Sequence, residues 1–160
     1  MRRIAIPAMA LAASTLIVLI ALVAEGRQAV AQLTTGLTPR LGDIMGAVQL
    51  RHFKLWFAGD MNNWPLAGYE LRQIHDSFSD AAMLYENVPL GDIEVSMIEK
   101  PLAALGDAIK AKDHAKFARA FSDLTGTCNH CHQAAQVGYI VVRIPTASPF
   151  SNQSFAPIQK

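Results

Sequence analysis

Apolar residues recur every three or four positions through most of residues 38–138, which is the spacing of one face of an α-helix. Capping and turn residues divide this pattern into four segments. The first helix is predicted to begin at Thr38-Pro39, a hydroxyl N-cap followed by proline at the first helical position, and to run toward Phe57. Its buried face is predicted to consist of Leu41, Ile44, Met45, Val48, His52, Leu55 and Trp56.

Three further helices follow in the same pattern. The second is predicted to begin at the Asn63 cap and to end at Val88-Pro89-Leu90-Gly91, and the third is predicted between about Ser96 and Ala111. Asp113 is expected to cap the fourth helix, and Gly138 is expected to stop it. Two short connections and one longer one predict an all-α, antiparallel up-down-up-down four-helix bundle over residues 32–138.

Residues 139–160 depart from the helical pattern. They begin with the apolar, β-branched run Tyr139-Ile140-Val141-Val142 and continue through three prolines and two phenylalanines. Such a composition predicts an extended tail that packs on the bundle. Covering the core is its favoured role, and shielding of a cofactor edge or docking of a partner are the alternatives.

The N-terminal segment resembles a targeting sequence. Arg2 and Arg3 precede an almost wholly apolar run over residues 4–24, and Ala29-Val30-Ala31 supplies a small-residue cleavage site. We therefore predict a signal peptide over residues 1–31 and a periplasmic protein. The apolar run also reaches the ~20 residues that span a bilayer, so a membrane anchor facing the periplasm is the alternative.

The charge balance bears on the class of partner. The chain carries a formal net charge of +1, and loss of residues 1–31 removes three arginines and one glutamate, which leaves −1. A nearly neutral chain without a basic run is not expected to bind nucleic acid. The 129 or so residues left after cleavage suffice for one domain.

The residues with the most specific chemistry are Cys128-Asn129-His130-Cys131-His132, a C-x-x-C-H run typical of covalent c-type haem attachment. Two thiols at this spacing can add to the two vinyl groups of a haem, and the next histidine reaches the iron. We predict one covalent haem c, with Cys128 and Cys131 as thioether anchors and His132 as proximal ligand. A thiol redox pair or half of a zinc site is the alternative, but a second cysteine pair is missing from the sequence. His130 is expected to face solvent.

A C-x-x-C-H motif on the last helix of an exported bundle resembles the class II c-type cytochromes, which comprise cytochrome c′ and its low-spin relatives. The resemblance covers about residues 38–138, and the tail after Gly138 departs from it. It implies a four-helix haem domain, and it leaves a homodimer through the first two helices open. It also implies a methionine of the first helix as sixth iron ligand in the low-spin members.

The sixth ligand decides which function is expected. In an antiparallel bundle the end of the fourth helix lies beside the start of the first, which favours Met45 over His52, seven residues further along. His52 is the less favoured alternative and is expected to be a hydrogen-bonded core histidine or to lie near a haem propionate.

With the sixth position filled, the protein is expected to transfer electrons between periplasmic redox partner proteins. A five-coordinate protein that binds nitric oxide or carbon monoxide is the first alternative, and a haem subunit of a larger redox complex is the second. Carboxylate pairs, a Ser/His/Asp set and a glycine-rich phosphate loop do not stand out in the sequence. An enzyme is therefore not expected.

Overall fold

The computed structural model describes residues 18–28, 38–85 and 93–158. Residues 18–28 are helical (α1), and four longer helices follow. These are α2 (Leu41–Asp60), α3 (Trp64–Leu84), α4 (Ile93–Ala111) and α5 (His114–Ala134). The described ranges contain helices, turns and irregular segments but no β-strand.

The chain divides into two compact units, Met1–Pro39 and Arg40–Lys160. Helix α1 belongs to the first unit and covers the end of the apolar run. The remainder of that run, and the predicted cleavage site at residues 29–31, lie outside the described residues. Where the structure describes the chain, no helix has both the length and the apolar character that crossing a bilayer requires.

The predicted N-caps of two helices are confirmed. The Asn63 side chain accepts a hydrogen bond from the backbone N–H of Leu66 at 3.3 Å, at the start of α3. The Asp113 carboxylate accepts one from the N–H of Lys116 at 2.9 Å, at the start of α5. Each cap satisfies an N–H group that the helix itself leaves unpaired, so both helices begin where the sequence predicts.

The ends of α2 differ from the prediction. Helix α2 begins at Leu41 rather than Pro39, because the first turn closes on Arg40, whose carbonyl accepts from the N–H groups of Asp43 and Ile44 at 2.9 and 3.2 Å. The Arg40 guanidinium also pairs with the Asp43 carboxylate at 3.0 Å. Helix α2 continues to Asp60, three residues beyond the predicted end at Phe57.

The other boundaries also shift. Helix α4 begins at Ile93, before the predicted Ser96, and the predicted stop at residues 88–91 lies outside the described residues. Helix α5 ends at Ala134, short of Gly138, since Gln136 adopts a left-handed φ of 60°. The N–H of Val137 then donates to the carbonyl of His132 at 2.8 Å and closes the helix end.

The four long helices are in mutual contact, α2 with α3, α3 with α4, α4 with α5 and α2 with α5, which is compatible with a helical bundle. Asp60, at the end of α2, lies 3.4 Å from His114, at the start of α5, and His52, earlier in α2, contacts Thr125, later in α5. These two helices therefore run in opposite directions. The core is apolar. Its largest fully buried apolar side chains are Phe117, Phe121, Leu55, Ile74, Leu105 and Leu124.

Aromatic rings fill the part of the bundle where α2 ends and α5 begins. The ring centroid of Trp56 lies 5.0 Å from that of Phe121 and 6.3 Å from that of Phe117. Gly59 contributes by having no side chain, because a Cβ there would overlap the Phe117 ring. This end of the bundle therefore has little room for a ligand.

The segment after α5 is irregular and returns to the bundle. Phe155 is buried, with its ring centroid 5.6 Å from that of Phe57 and 6.1 Å from that of Phe150. The Asn63 side-chain amide donates to the carbonyls of Phe155 and Ala156 at 3.1 and 3.2 Å. The tail thus contacts the α2–α3 connection through both apolar and polar groups.

Candidate functional site

Helix α5 presents the C-x-x-C-H residues on one face. Cys128, Cys131 and His132 are separated by three and four positions, so their side chains lie side by side on the helix. All three are half-buried, whereas His130 is exposed as expected. The three chemically distinctive side chains of the motif therefore share a single environment.

That environment is a cavity of about 410 Å³. Both cysteines and His132 line it, together with residues of α2, α3, α4 and the tail. Most of the lining atoms are apolar, supplied by side chains such as Phe78 and Ile98. A cavity of this size and lining suits a mostly apolar ligand of cofactor dimensions.

Helix α2 forms another wall of the cavity. Met45 and His52 both line it, so the two predicted candidates for the sixth ligand border the same space as His132. Gly42 and Gly46 lie on the same face, and the positions where their Cβ atoms would stand have no atom within 4 Å. The two glycines leave open space beside Met45.

His132 is held in one orientation. Its Nδ1 lies 2.7 Å from the backbone carbonyl oxygen of Ile140. Because a carbonyl can only accept, Nδ1 carries the proton, and the neutral ring has its lone pair on Nε2. Histidines that bind a metal typically donate their other ring N–H to a carbonyl or carboxylate in this way.

His52 already has polar and aromatic partners. Its Nε2 lies 2.9 Å from the hydroxyl oxygen of Thr125, and that hydroxyl donates to the carbonyl of Phe121 at 2.9 Å. The hydroxyl proton is thereby occupied, so His52 donates from Nε2 to Thr125. Burial lowers the pKa of His52 from 6.5 to about 4, which keeps the ring neutral. These contacts agree with the expected hydrogen-bonded core histidine.

The Cys128 thiol is not activated. Burial, with a smaller contribution from the neighbouring Cys131, raises the pKa of Cys128 to about 11. A thiol with this pKa is protonated at neutral pH and is a weak nucleophile. In addition, no group of three or more His, Cys, Asp or Glu side chains within the described residues could bind a metal ion by itself. The raised pKa of Cys128 disfavours the redox-pair alternative.

Sequence reasoning missed two kinds of site residue. Gly42 and Gly46, four residues apart inside a helical pattern, were a usable signal, because each interior glycine costs about 0.5–1 kcal/mol relative to alanine and needs a reason. Ile140 contributes a backbone carbonyl, which every residue has, so no sequence signal could have identified it. His75 and His114, the two other described histidines, are exposed and lie outside the cavity.

Comparison with known proteins adds no assignment. No protein-family model, curated protein or solved structure matches the chain. The chemistry of the site therefore has to be argued from its own residues. Two thiols, one oriented imidazole and an apolar cavity are the elements it offers.

Proposed function

We propose that the protein is an exported c-type cytochrome with one covalent haem, and that it transfers electrons between redox partner proteins. One observation supports this most strongly. Cys128, Cys131 and His132 line a single apolar cavity, and the Nδ1–H of His132 is committed to a carbonyl. That bond leaves Nε2 as the free ligand atom.

The residues of the cavity fit a haem c. The two thiols have the spacing that thioether attachment requires, and His132 directly follows the second of them. The open space at Gly42 and Gly46 can admit a flat ring close to the α2 backbone. When bound there, a haem supplies a one-electron Fe(III)/Fe(II) couple.

In this proposal Met45 would be the residue of α2 that binds the haem iron. It lies on α2 and borders the cavity that His132 borders from α5. His52 is the weaker candidate, because its Nε2 is already bonded to Thr125. A methionine opposite a histidine raises the reduction potential of a haem, which suits an electron carrier.

The proposal extends to the class of fold. Four mutually contacting helices, with α2 and α5 antiparallel, are what a class II cytochrome would need, and the motif lies at the end of the last helix. The protein is then a periplasmic carrier without a catalytic site of its own. Residues 139–160 form a tail that the resemblance to this class does not cover.

Absorption spectra with and without carbon monoxide test the role of Met45. The ferric and ferrous protein should be low-spin and indifferent to carbon monoxide, since its sixth position is filled. Met45→Ala should become high-spin and bind carbon monoxide. Met83→Ala is the matched control, because Met83 is 67% exposed on α3 and should leave the spectra unchanged.

Two outcomes would contradict this assignment. A wild-type protein that is already high-spin and binds carbon monoxide has an open iron, and the gas-binding alternative would replace electron transfer. A low-spin spectrum that survives Met45→Ala would exclude Met45 as the ligand and direct attention to His52.

A further inference from the structure

We propose that Asn129, the first variable residue of the C-x-x-C-H motif, is a positioning residue for His132 that acts through the tail. The inference rests on the proposed haem attachment and deepens it. It concerns the reduction potential rather than attachment itself, and it assigns a specific role to the tail that follows α5.

Asn129 binds the tail with both ends of its side-chain amide. Its Nδ2 donates to the carbonyl of Val142 at 2.9 Å, and its Oδ1 accepts from the N–H of Val142 at 2.8 Å. Both residues are half-buried. Two short bonds to one backbone residue fix that residue in position and in rotation about the chain.

Val142 lies two positions after Ile140, whose carbonyl accepts from Nδ1 of His132 at 2.7 Å. The pair of bonds between Asn129 and Val142 is called the Asn129 clamp below. On the other side of Ile140, its own N–H donates to the carbonyl of Val137 at 2.8 Å. Val137 in turn donates to the backbone carbonyl of His132, also at 2.8 Å. Hydrogen bonds therefore hold the tail on both sides of the carbonyl that orients His132.

Apolar packing restrains residues 139–141 only weakly. Tyr139, Ile140 and Val141 are 82, 46 and 61% exposed, so their side chains contribute little burial that could fix the backbone there. The buried residues of the tail, Pro145 and Phe155, lie three and thirteen residues beyond Val142. The two Asn129–Val142 bonds and the Ile140–Val137 bond are consequently the hydrogen bonds that restrain the backbone on either side of the Ile140 carbonyl.

This restraint has an electronic consequence at a bound haem. A histidine that donates Nδ1–H to a carbonyl is a stronger donor through Nε2. A stronger donor stabilises Fe(III) over Fe(II) and lowers the reduction potential. Loss of the Asn129 clamp lets the carbonyl move away, weakens the donor and raises the potential.

The experiment compares the midpoint potentials of the haem-loaded wild-type protein, Asn129→Ala and His130→Ala by redox titration. His130 is the matched control, since it is the other variable residue of the motif and is exposed. Asn129→Ala should shift the Fe(III)/Fe(II) equilibrium toward Fe(II) by roughly threefold to tenfold, a rise of about 30–60 mV at 59 mV per tenfold. His130→Ala should leave the potential unchanged.

Asn129→Leu serves as a second variant, because leucine keeps the branched shape of asparagine and makes neither bond to Val142. It should raise the potential as the alanine variant does, and it decides the question if the alanine variant fails to fold by circular dichroism. An Asn129 variant with wild-type helicity and an unchanged potential overturns the inference. Haem that is extractable from the wild-type protein would instead overturn the proposed attachment, so the two failures are distinguishable.

Discussion

His52 is a buried histidine whose surroundings make protein stability depend on pH. Only 3% of its surface is exposed, and burial lowers its pKa from 6.5 to about 4. Between these values the unfolded chain binds a proton at this residue and the folded protein does not. The contribution of His52 to the free energy of unfolding is therefore fully present above pH 6.5 and is lost as the pH falls toward 4.

The expected loss can be measured by urea denaturation between pH 7 and pH 4. At about 1.4 kcal/mol per pKa unit, His52 should account for roughly 3 kcal/mol over this range. His52→Gln keeps an amide that can donate to Thr125 but does not titrate. Between pH 7 and pH 4, the unfolding free energy of this variant should therefore fall by roughly 3 kcal/mol less than that of the wild-type protein. An identical acid dependence in both proteins would show that His52 does not control it.

At the residue scale, the sequence predicted the motif residues but not their partners. Cys128, Cys131 and His132 share one cavity because helical spacing puts them on one face, and that spacing is readable from the sequence. The bonds of His132 to Ile140 and of His52 to Thr125 join residues 8 and 73 positions apart. Such hydrogen bonds form only once the tertiary fold brings the two residues together, so no local sequence pattern predicts them.

Helix α2 is the element that gives the cavity its space. Its face toward the cavity combines Met45 with Gly42 and Gly46, and a side chain at either glycine would project into open space. In an isolated helix these glycines only reduce stability. Their presence is explained if a ligand approaches the helix backbone here.

Gly46→Leu tests this explanation against Gly126→Leu. Gly126 also has open space around it but lies on the exposed side of α5, outside the cavity lining. Leucine should favour the helix by up to about 1 kcal/mol at either position. Only Gly46→Leu should lower the haem content, because its side chain fills the cavity. The ratio of haem to protein absorbance measures this.

Equal haem content in the two leucine variants would show that the space beside Gly46 is not used. Unfolding measurements on both variants provide the control for stability. If Gly46→Leu lost haem because it lost its fold, its unfolding free energy would fall as well.

At the element scale, helix starts with a side-chain cap were predictable and other boundaries were not. Asn63 and Asp113 cap α3 and α5 as expected, because a cap is a local hydrogen bond. Helix α5 instead stops before Gly138, since Gln136 takes the left-handed conformation that glycine usually occupies. Local propensity is overridden there by the bonds that turn the tail back toward His132.

At the scale of the whole molecule, the tail contacts both ends of the bundle. One part of the tail bonds to His132 and Asn129 beside the cavity, and another part buries Phe155 near the α2–α3 connection. The sequence predicted that the tail would pack, from its apolar content. The sequence could not predict which part of the bundle the tail contacts, because an irregular segment has no periodic pattern that shows which of its side chains face the bundle.

Phe155→Ala should destabilise the protein by about 3 kcal/mol, the lower end of the range for removing a buried phenylalanine. Ile158→Ala is the control, since Ile158 is 92% exposed and should change stability by less than about 0.5 kcal/mol. Urea denaturation with helical circular dichroism as the signal compares the two. Equal midpoints would mean that the tail does not contribute to the core.

Covalent haem at the C-x-x-C-H motif is the central claim, and the mass of the denatured, reduced protein tests it most directly. Protein purified from a host that exports it and matures c-type cytochromes should be heavier than its polypeptide by one haem. The double variant Cys128→Ala/Cys131→Ala should lose the added mass. A wild-type mass equal to that of the bare polypeptide, with both thiols open to alkylation, would contradict the account.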